Sequence, residues 1–167
     1  MSLRLPLLGF LLLALDTNWT VGIRAFGPIR FGTTVAAATR LTGDSLRFQN
    51  PGLFEGCDYV TSPALPAGTS FMVWNDSVVV RVDVTKPGVA TRSGIQVGSA
   101  EAAVRAAYPG RIATIPNPYD DANPLLSFTP ADRTDSAYSM VFEIADGKVT
   151  GFRAGRRDAV ELAEGCA

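Results

Sequence analysis

The sequence predicts an α+β fold built of two tandem repeats, each a short helix followed by an antiparallel hairpin or sheet, and two observations carry that prediction. The first is a recurring pentapeptide. Ile29-Arg30-Phe31-Gly32-Thr33 and Ile95-Gln96-Val97-Gly98-Ser99 share the pattern Ile-x-[Phe/Val]-Gly-[Ser/Thr] at an offset of 66 residues. The second is a pair of turn signals, Asn75-Asp76 and Asp146-Gly147, each set between two apolar runs; Asp76 and Asp146 stand 70 residues apart. Two extended runs joined by residues that tolerate positive φ read as a β-hairpin.

The elements follow in chain order. Residues 1–15, MSLRLPLLGFLLLAL, place one cation, Arg4, before an apolar run from Leu5 to Leu15, and polarity returns at Asp16. A positive n-region with a short h-region is the layout of a secretory signal. As a helix of about 1.5 Å per residue the run would span roughly 16 Å, half a bilayer core, so it predicts no transmembrane span. Leu13-Ala14-Leu15 lacks a small-x-small cleavage site, and no Cys follows the run to carry a lipid. Residues 16–91 then form the first repeat and 92–167 the second. In each, a glycine permits φ > 0 and a hydroxyl, Thr33 or Ser99, is placed to N-cap a helix. The helices are expected over 34–41 and 100–108, ended by Gly43 and by Pro109-Gly110. Gly/Pro-rich connections lead to strands at 69–74 and 77–84 in the first repeat, and at 125–129, 137–145 and 148–154 in the second.

Taking Asn75-Asp76 as a two-residue loop pairs Val73 with Val78 and Phe71 with Val80 on one face, with Val82. Met72, Trp74, Val79 and Arg81 then share the other face. In the second hairpin Ile144 pairs with Val149 and Phe142 with Gly151, which places Val141 and Phe152 together on the opposite side. A single sheet layer with a helix on one side leaves its other side open. Met72, Trp74, Val79, Arg81, Val141 and Phe152 are therefore the expected binding face.

Composition narrows the function classes. Hydrophobic residues make up 47% and charged residues 19%, enough apolar material for a packed core. Lys and Arg number 15 against 16 Asp and Glu, which gives no electrostatic footprint for nucleic acid. The chain has no histidine. That removes Ser-His-Asp and Cys-His nucleophile systems and every histidine metal ligand. Gly43-Asp44-Ser45-Leu46 spells the name motif of the GDSL hydrolases, but it follows a helix and has no histidine to activate its serine. Asp120-Asp121, a paired carboxylate in a Pro-rich loop, lies outside any metal-binding spacing and reads as solvated. Arg153, Arg156 and Arg157, beside Asp158, Glu161 and Glu164, read as a solvated, charge-balanced tail. No phosphate loop or dinucleotide fingerprint occurs. The expectation is a protein that is not an enzyme and uses no cofactor or metal.

Cys57 and Cys166 form no CxxC pair, and without histidine they are too few for a zinc site. In an exported protein the economical reading is one disulfide between them; two free buried thiols are the alternative. Sequons at Asn18 and Asn75 carry no weight without knowledge of the host.

The two units, each opened by Ile-x-[Phe/Val]-Gly-[Ser/Thr], resemble the β-lactamase-inhibitor-protein-like architecture shared with small outer-membrane assembly lipoproteins. The likeness spans roughly residues 27–167. The family implies a continuous concave sheet that grips a partner protein. Two departures stand out: the inhibitors carry a disulfide inside each unit, whereas here one would span both, and the acylation cysteine of the lipoproteins is missing. The expected function is a periplasmic or secreted binding module that presents a sheet face to a protein partner, as an inhibitor or assembly factor does. The alternative is a secreted small-molecule or carbohydrate-binding protein using Trp74 and Tyr119.

Overall fold

A computed structural model describes residues 18–166. The signal-like segment 1–15 lies outside the described residues. The chain is α+β. A small hairpin, β1 (Ala25–Phe26) and β2 (Ile29–Arg30), leads into α1 (Val35–Thr42). Four antiparallel strands follow: β3 (Arg47–Phe48), β4 (Cys57–Thr61), β5 (Thr69–Trp74) and β6 (Val78–Val84). After α2 (Glu101–Ala107) come β7 (Ile112–Ile115), β8 (Leu125–Phe128), β9 (Tyr138–Ala145) and β10 (Lys148–Arg156), and the short α3 (Arg157–Val160) ends the ordered elements. Both sets of four join in one eight-stranded sheet of order β3-β4-β5-β6-β10-β9-β8-β7. The last strands of the two sets meet antiparallel at the seam, with Arg153 opposite Asp83 and Gly155 opposite Arg81. Gly155 is required there, because a Cβ would stand 2.2 Å from the Val80 carbonyl oxygen.

The glycines of the pentapeptides tie each helix start to a hairpin. Gly32 and Gly98 have φ of 97° and 92°. Gly32 N–H donates to Val79 O and Val79 N–H to Thr33 O; Gly98 N–H donates to Val149 O and Val149 N–H to Ser99 O. The backbone at Thr33 and Ser99 is therefore engaged with a strand, and the caps fall one residue later than the sequence predicts. Thr34 Oγ1 accepts from Ala37 N–H, whereas α2 is capped by Ala100 without a side-chain bond and Ser99 Oγ instead accepts from Gln96 N–H. Thr34→Ala is expected to cost about 1 kcal/mol and Thr33→Ala clearly less, a contrast that chemical denaturation will measure.

Two β-bulges correct the predicted register. In the first hairpin the connection is three residues long: Trp74 pairs with Val78 and Val73 with Val79, and a bulge then brings Met72 opposite Arg81. Asn75 and Asp76 both have φ of 50°, and the extra residue turns Val79 to the helix-covered side. In the second hairpin Asp146-Gly147 forms a two-residue turn with positive φ at both positions. A bulge between Val149 and Gly151 then places Phe152 opposite Phe142 rather than beside Val141.

The main core lies between the sheet and the layer over it. Phe71, Val73, Val79, Val82, Phe142, Ile144, Phe152 and Leu126 project from the strands. The helices themselves bury little, only Ala38 from α1 and Val104 from α2. The small hairpin and irregular segments supply more of the cover: Phe26 and Ile29 from β1 and β2, and Val21, Phe31, Val89 and Ile95, are all buried in the same cluster. Phe26 meets Trp19 and Phe71, and Phe142 meets Tyr108 and Phe152, through tilted ring pairs. Among the described residues no helix is long and apolar enough to cross a membrane.

Candidate interaction groove beside a C-terminal strap

The second face of the sheet is not open. The chain turns back directly after β10, with Arg157 N–H donating to Ala137 O, and residues 157–166 lie across β6, β9 and β10. Ala159 packs with Met72 and Val80, and Val160 packs with Leu125 and Val141. Cys166 is disulfide-bonded to Cys57 on β4, whose strand neighbour is Trp74. Both ends of the strap are thus fastened, one by chain continuity and the other by a covalent bond.

Two arginines hold its middle. Arg81 and Arg153 are 3% and 4% exposed and stand diagonally across the seam. Arg81 Nη1 donates to the carbonyls of Ala159 and Leu162, each at 2.8 Å. Its remaining N–H groups reach both Asp83 oxygens and, at 2.5 Å, the Tyr59 hydroxyl. Arg153 Nε donates to Val160 O at 2.7 Å, and its Nη1 to Glu143 Oε1 at 3.0 Å. The carbonyls at the end of α3 have no partner within the helix, and the planar guanidinium, with donors in a fixed fork, is suited to collecting them.

Electrostatics separates the two cations. Burial pulls the Arg81 pKa down, but the charge and hydrogen bonds of Asp83 more than offset this and raise it. Burial, together with repulsion from Arg81, lowers that of Arg153. Burial and the nearby Asp83 carboxylate push the Tyr59 phenol up to about 12, so it stays a neutral hydroxyl. Among the described residues no buried side-chain polar atom is left without a hydrogen bond.

Along the strap runs a groove. Its larger part, a cavity of about 680 Å³, is lined by Trp74, Tyr119, Leu162, Glu161, Glu164 and the disulfide, with Glu55 and Pro118 among the rest. Two smaller cavities continue past Pro118 and Ala163 to Leu125, Val141, Arg153 and Glu143. Tyr119 is 62% and Leu162 42% exposed, while Trp74 is half-buried with Arg156 stacked 4.9 Å from its ring centre. The Tyr119 phenol has its pKa raised by its hydrogen bond to the Glu164 carboxylate. Three carboxylates and no lysine or arginine line the larger cavity.

The structure corrects the predicted face residue by residue. Met72, Arg81 and Val141 do lie on the second side of the sheet, but the strap buries them. Val79 and Phe152 point into the main core: the three-residue connection shifts Val79, which precedes the bulge in β6, and the bulge in β10 reverses the alternation at Phe152. Of the six, Trp74 lines the larger cavity of the groove, and buried Val141 forms part of the wall of a smaller one. Arg153 is buried rather than solvated, while Arg156 pairs with Asp158 at the surface. Tyr119, Leu162 and the glutamates of the strap are not among the predicted face residues; Tyr119 enters only the alternative ligand reading, and the bond between Cys57 and Cys166, which carries the tail over the sheet, is the sequence signal for the strap residues. Elsewhere, Gly43 C-caps α1 with φ of 72°, and Asp44 accepts from Ser62 Oγ and Ser45 N–H. Asp120 closes its own loop by accepting from Ala122 N–H and Asn123 Nδ2. Among the described residues no cluster of potential metal ligands occurs.

No family model matches the chain, and no curated protein shows significant similarity to it.

Proposed function

We propose that this protein is a non-enzymatic binding module that works in the periplasm or outside the cell and takes a partner protein in the groove beside its strap. One observation carries the reading: Trp74, Tyr119 and Leu162 converge on a single cavity, and two of the three are exposed. Tyr and Trp are the types enriched where proteins meet, and exposed Tyr119 and Leu162 contribute nothing to a core. The disulfide favours an oxidising compartment. The order helix then four antiparallel strands, met twice, with matching glycine-to-strand bonds at Gly32 and Gly98, favours an internal repeat of the kind that the inhibitor-like architecture implies.

The test uses exposed positions only. Tyr119→Ala is expected to lower affinity for a captured partner by about 2 kcal/mol and to leave the melting temperature unchanged. Leu41→Ala, also exposed but remote from the groove, should leave affinity unaltered. Equal retention of the partner by wild type and Tyr119→Ala refutes the assignment of the groove.

A second reading rests on the same lining. Two aromatic rings beside the carboxylates of Glu55, Glu161 and Glu164 suit a polyhydroxylated ligand, with apolar sugar faces on the rings and hydroxyls on the acids. Binding on a glycan array that Tyr119→Ala abolishes would select it over the protein partner.

A further inference from the structure

We propose that residues 157–166 are a redox-released strap, so that reduction of Cys57–Cys166 dismantles the groove and uncovers the sheet face beneath it. The inference rests on the reading of that groove as the interaction surface, which it extends to its regulation. Three observations carry it. Cys57 and Cys166 are half-buried and line the larger cavity, so a reductant entering the groove meets the bond. The strap also forms one wall of that cavity, from Glu161 to Cys166, so the site exists only while the strap is down.

The third observation is the balance of forces on the segment. Ordering ten terminal residues costs conformational freedom at each one. Arg157 bonds to the carbonyls of Ser136, Ala137 and Tyr138 at the start of the strap. Beyond it, only Ala159 and Val160 are buried in return, with three carbonyls held by Arg81 and Arg153 and Glu164 bonded to Tyr119. The disulfide supplies what these contacts lack. Once the strap lifts, Arg81 keeps Asp83 and Arg153 keeps Glu143, so neither cation is stranded, and both recover water for the lost carbonyls. The same movement carries Glu161 and Glu164 away from the cavity and bares Met72, Val80, Leu125 and Val141.

The step is an ordinary thiol–disulfide exchange with a dithiol, either a small molecule or the active site of an oxidoreductase. One thiolate of the dithiol attacks a sulfur of the bond and forms a mixed disulfide. Its second thiol then closes the reductant's own disulfide. The dithiol is oxidised by two electrons, and Cys57 and Cys166 leave as thiols carrying the two protons.

Amide hydrogen exchange on the full chain, with and without dithiothreitol, tests this without any partner. Reduction should speed exchange at residues 159–165 by at least about tenfold while amides of β6, β9 and β10 stay within about twofold. A Cys57→Ser/Cys166→Ser variant without reductant should reproduce the reduced pattern. Unchanged exchange in the tail overturns the proposal, since the strap then stays down without its bond. Loss of protection throughout the sheet overturns it too, since the disulfide is then a staple of the whole fold. Because no ligand enters the measurement, a negative result at the groove in the Tyr119→Ala experiment leaves this test intact, and the reverse holds.

Discussion

Arg81→Met is expected to destabilise the protein by about 3–5 kcal/mol, the range for removing one partner from a buried charged network. The guanidinium is 3% exposed and makes five hydrogen bonds: two to strap carbonyls, two to Asp83 and one to Tyr59. Methionine fills much of the volume but donates nothing. The carbonyl of Ala159 and the Asp83 carboxylate would then sit in or beside a desolvated face without these donors, while Leu162 O keeps only the bond from Gly165 N–H, and an unmet buried polar group costs more than the bond it made. Urea unfolding followed by circular dichroism measures the change. Arg105→Ala provides the contrast. Arg105 pairs with Glu101 four residues earlier on an exposed helix, and its loss should shift stability by less than about 1 kcal/mol. If the two substitutions cost the same, Arg81 is not the centre of the second face.

Phe142→Ala is expected to cost about 3–5 kcal/mol. The ring is fully buried at the middle of β9 and meets Tyr108 from the end of α2 and Phe152 across the strand pair. Its neighbours belong to different elements, so the cavity left by alanine cannot close by moving one side chain. Leu53→Ala, at a loop residue 65% exposed, should be nearly neutral in the same assay. The bulge in β10 gives a sharper form of this prediction. Had Phe152 lain on the strap face, Phe142→Ala and Phe152→Ala would act independently; in contact, their double variant should depart from additivity by about 0.5 kcal/mol or more.

The α+β class and both hairpins were legible because they rest on local chemistry. Asp146-Gly147 tolerates positive φ at both positions, and Gly32 and Gly98 supply backbone freedom where a strand gives way to a helix. Pairing Cys57 with Cys166 needed only composition and an export-like N-terminal segment. Facing was not legible beyond the bulges. One extra residue in each hairpin, in the connection before Val79 and in the bulge before Phe152, sends these two to the opposite side, and no residue type at Ser77 or Thr150 announces it. The strap was illegible for a related reason. Residues 157–166 read as a charged tail because Arg153, Arg156 and Arg157 look alike in sequence, although only Arg153 sits on a strand position facing inward. Long-range docking decides which arginine is desolvated, and local pattern does not encode it. The groove was half visible: Trp74 and Tyr119 stand out in the sequence as aromatics for a ligand, but what brings them to one cavity is the tail between them.

The seam between β6 and β10 has a consequence for biosynthesis. Strand β6 is complete when Val84 has been made, yet its partner ends at Arg156. At about 5–20 residues per second, the roughly 70 residues between them take some 4–14 s to emerge. For that interval the first four strands, if already paired, present β6 as a bare edge, and its sequence is Val-Val-Val-Arg-Val-Asp-Val. An unpaired apolar edge of this kind recruits other chains. Arg81 and Asp83 interrupt the run, and charges set within a hydrophobic strand act as gatekeepers against such stacking. Arg81, which later grips the strap, and its partner Asp83 therefore also guard the nascent chain, and neutral replacements at both positions should raise inclusion-body formation during expression as well as lower the stability of the purified protein.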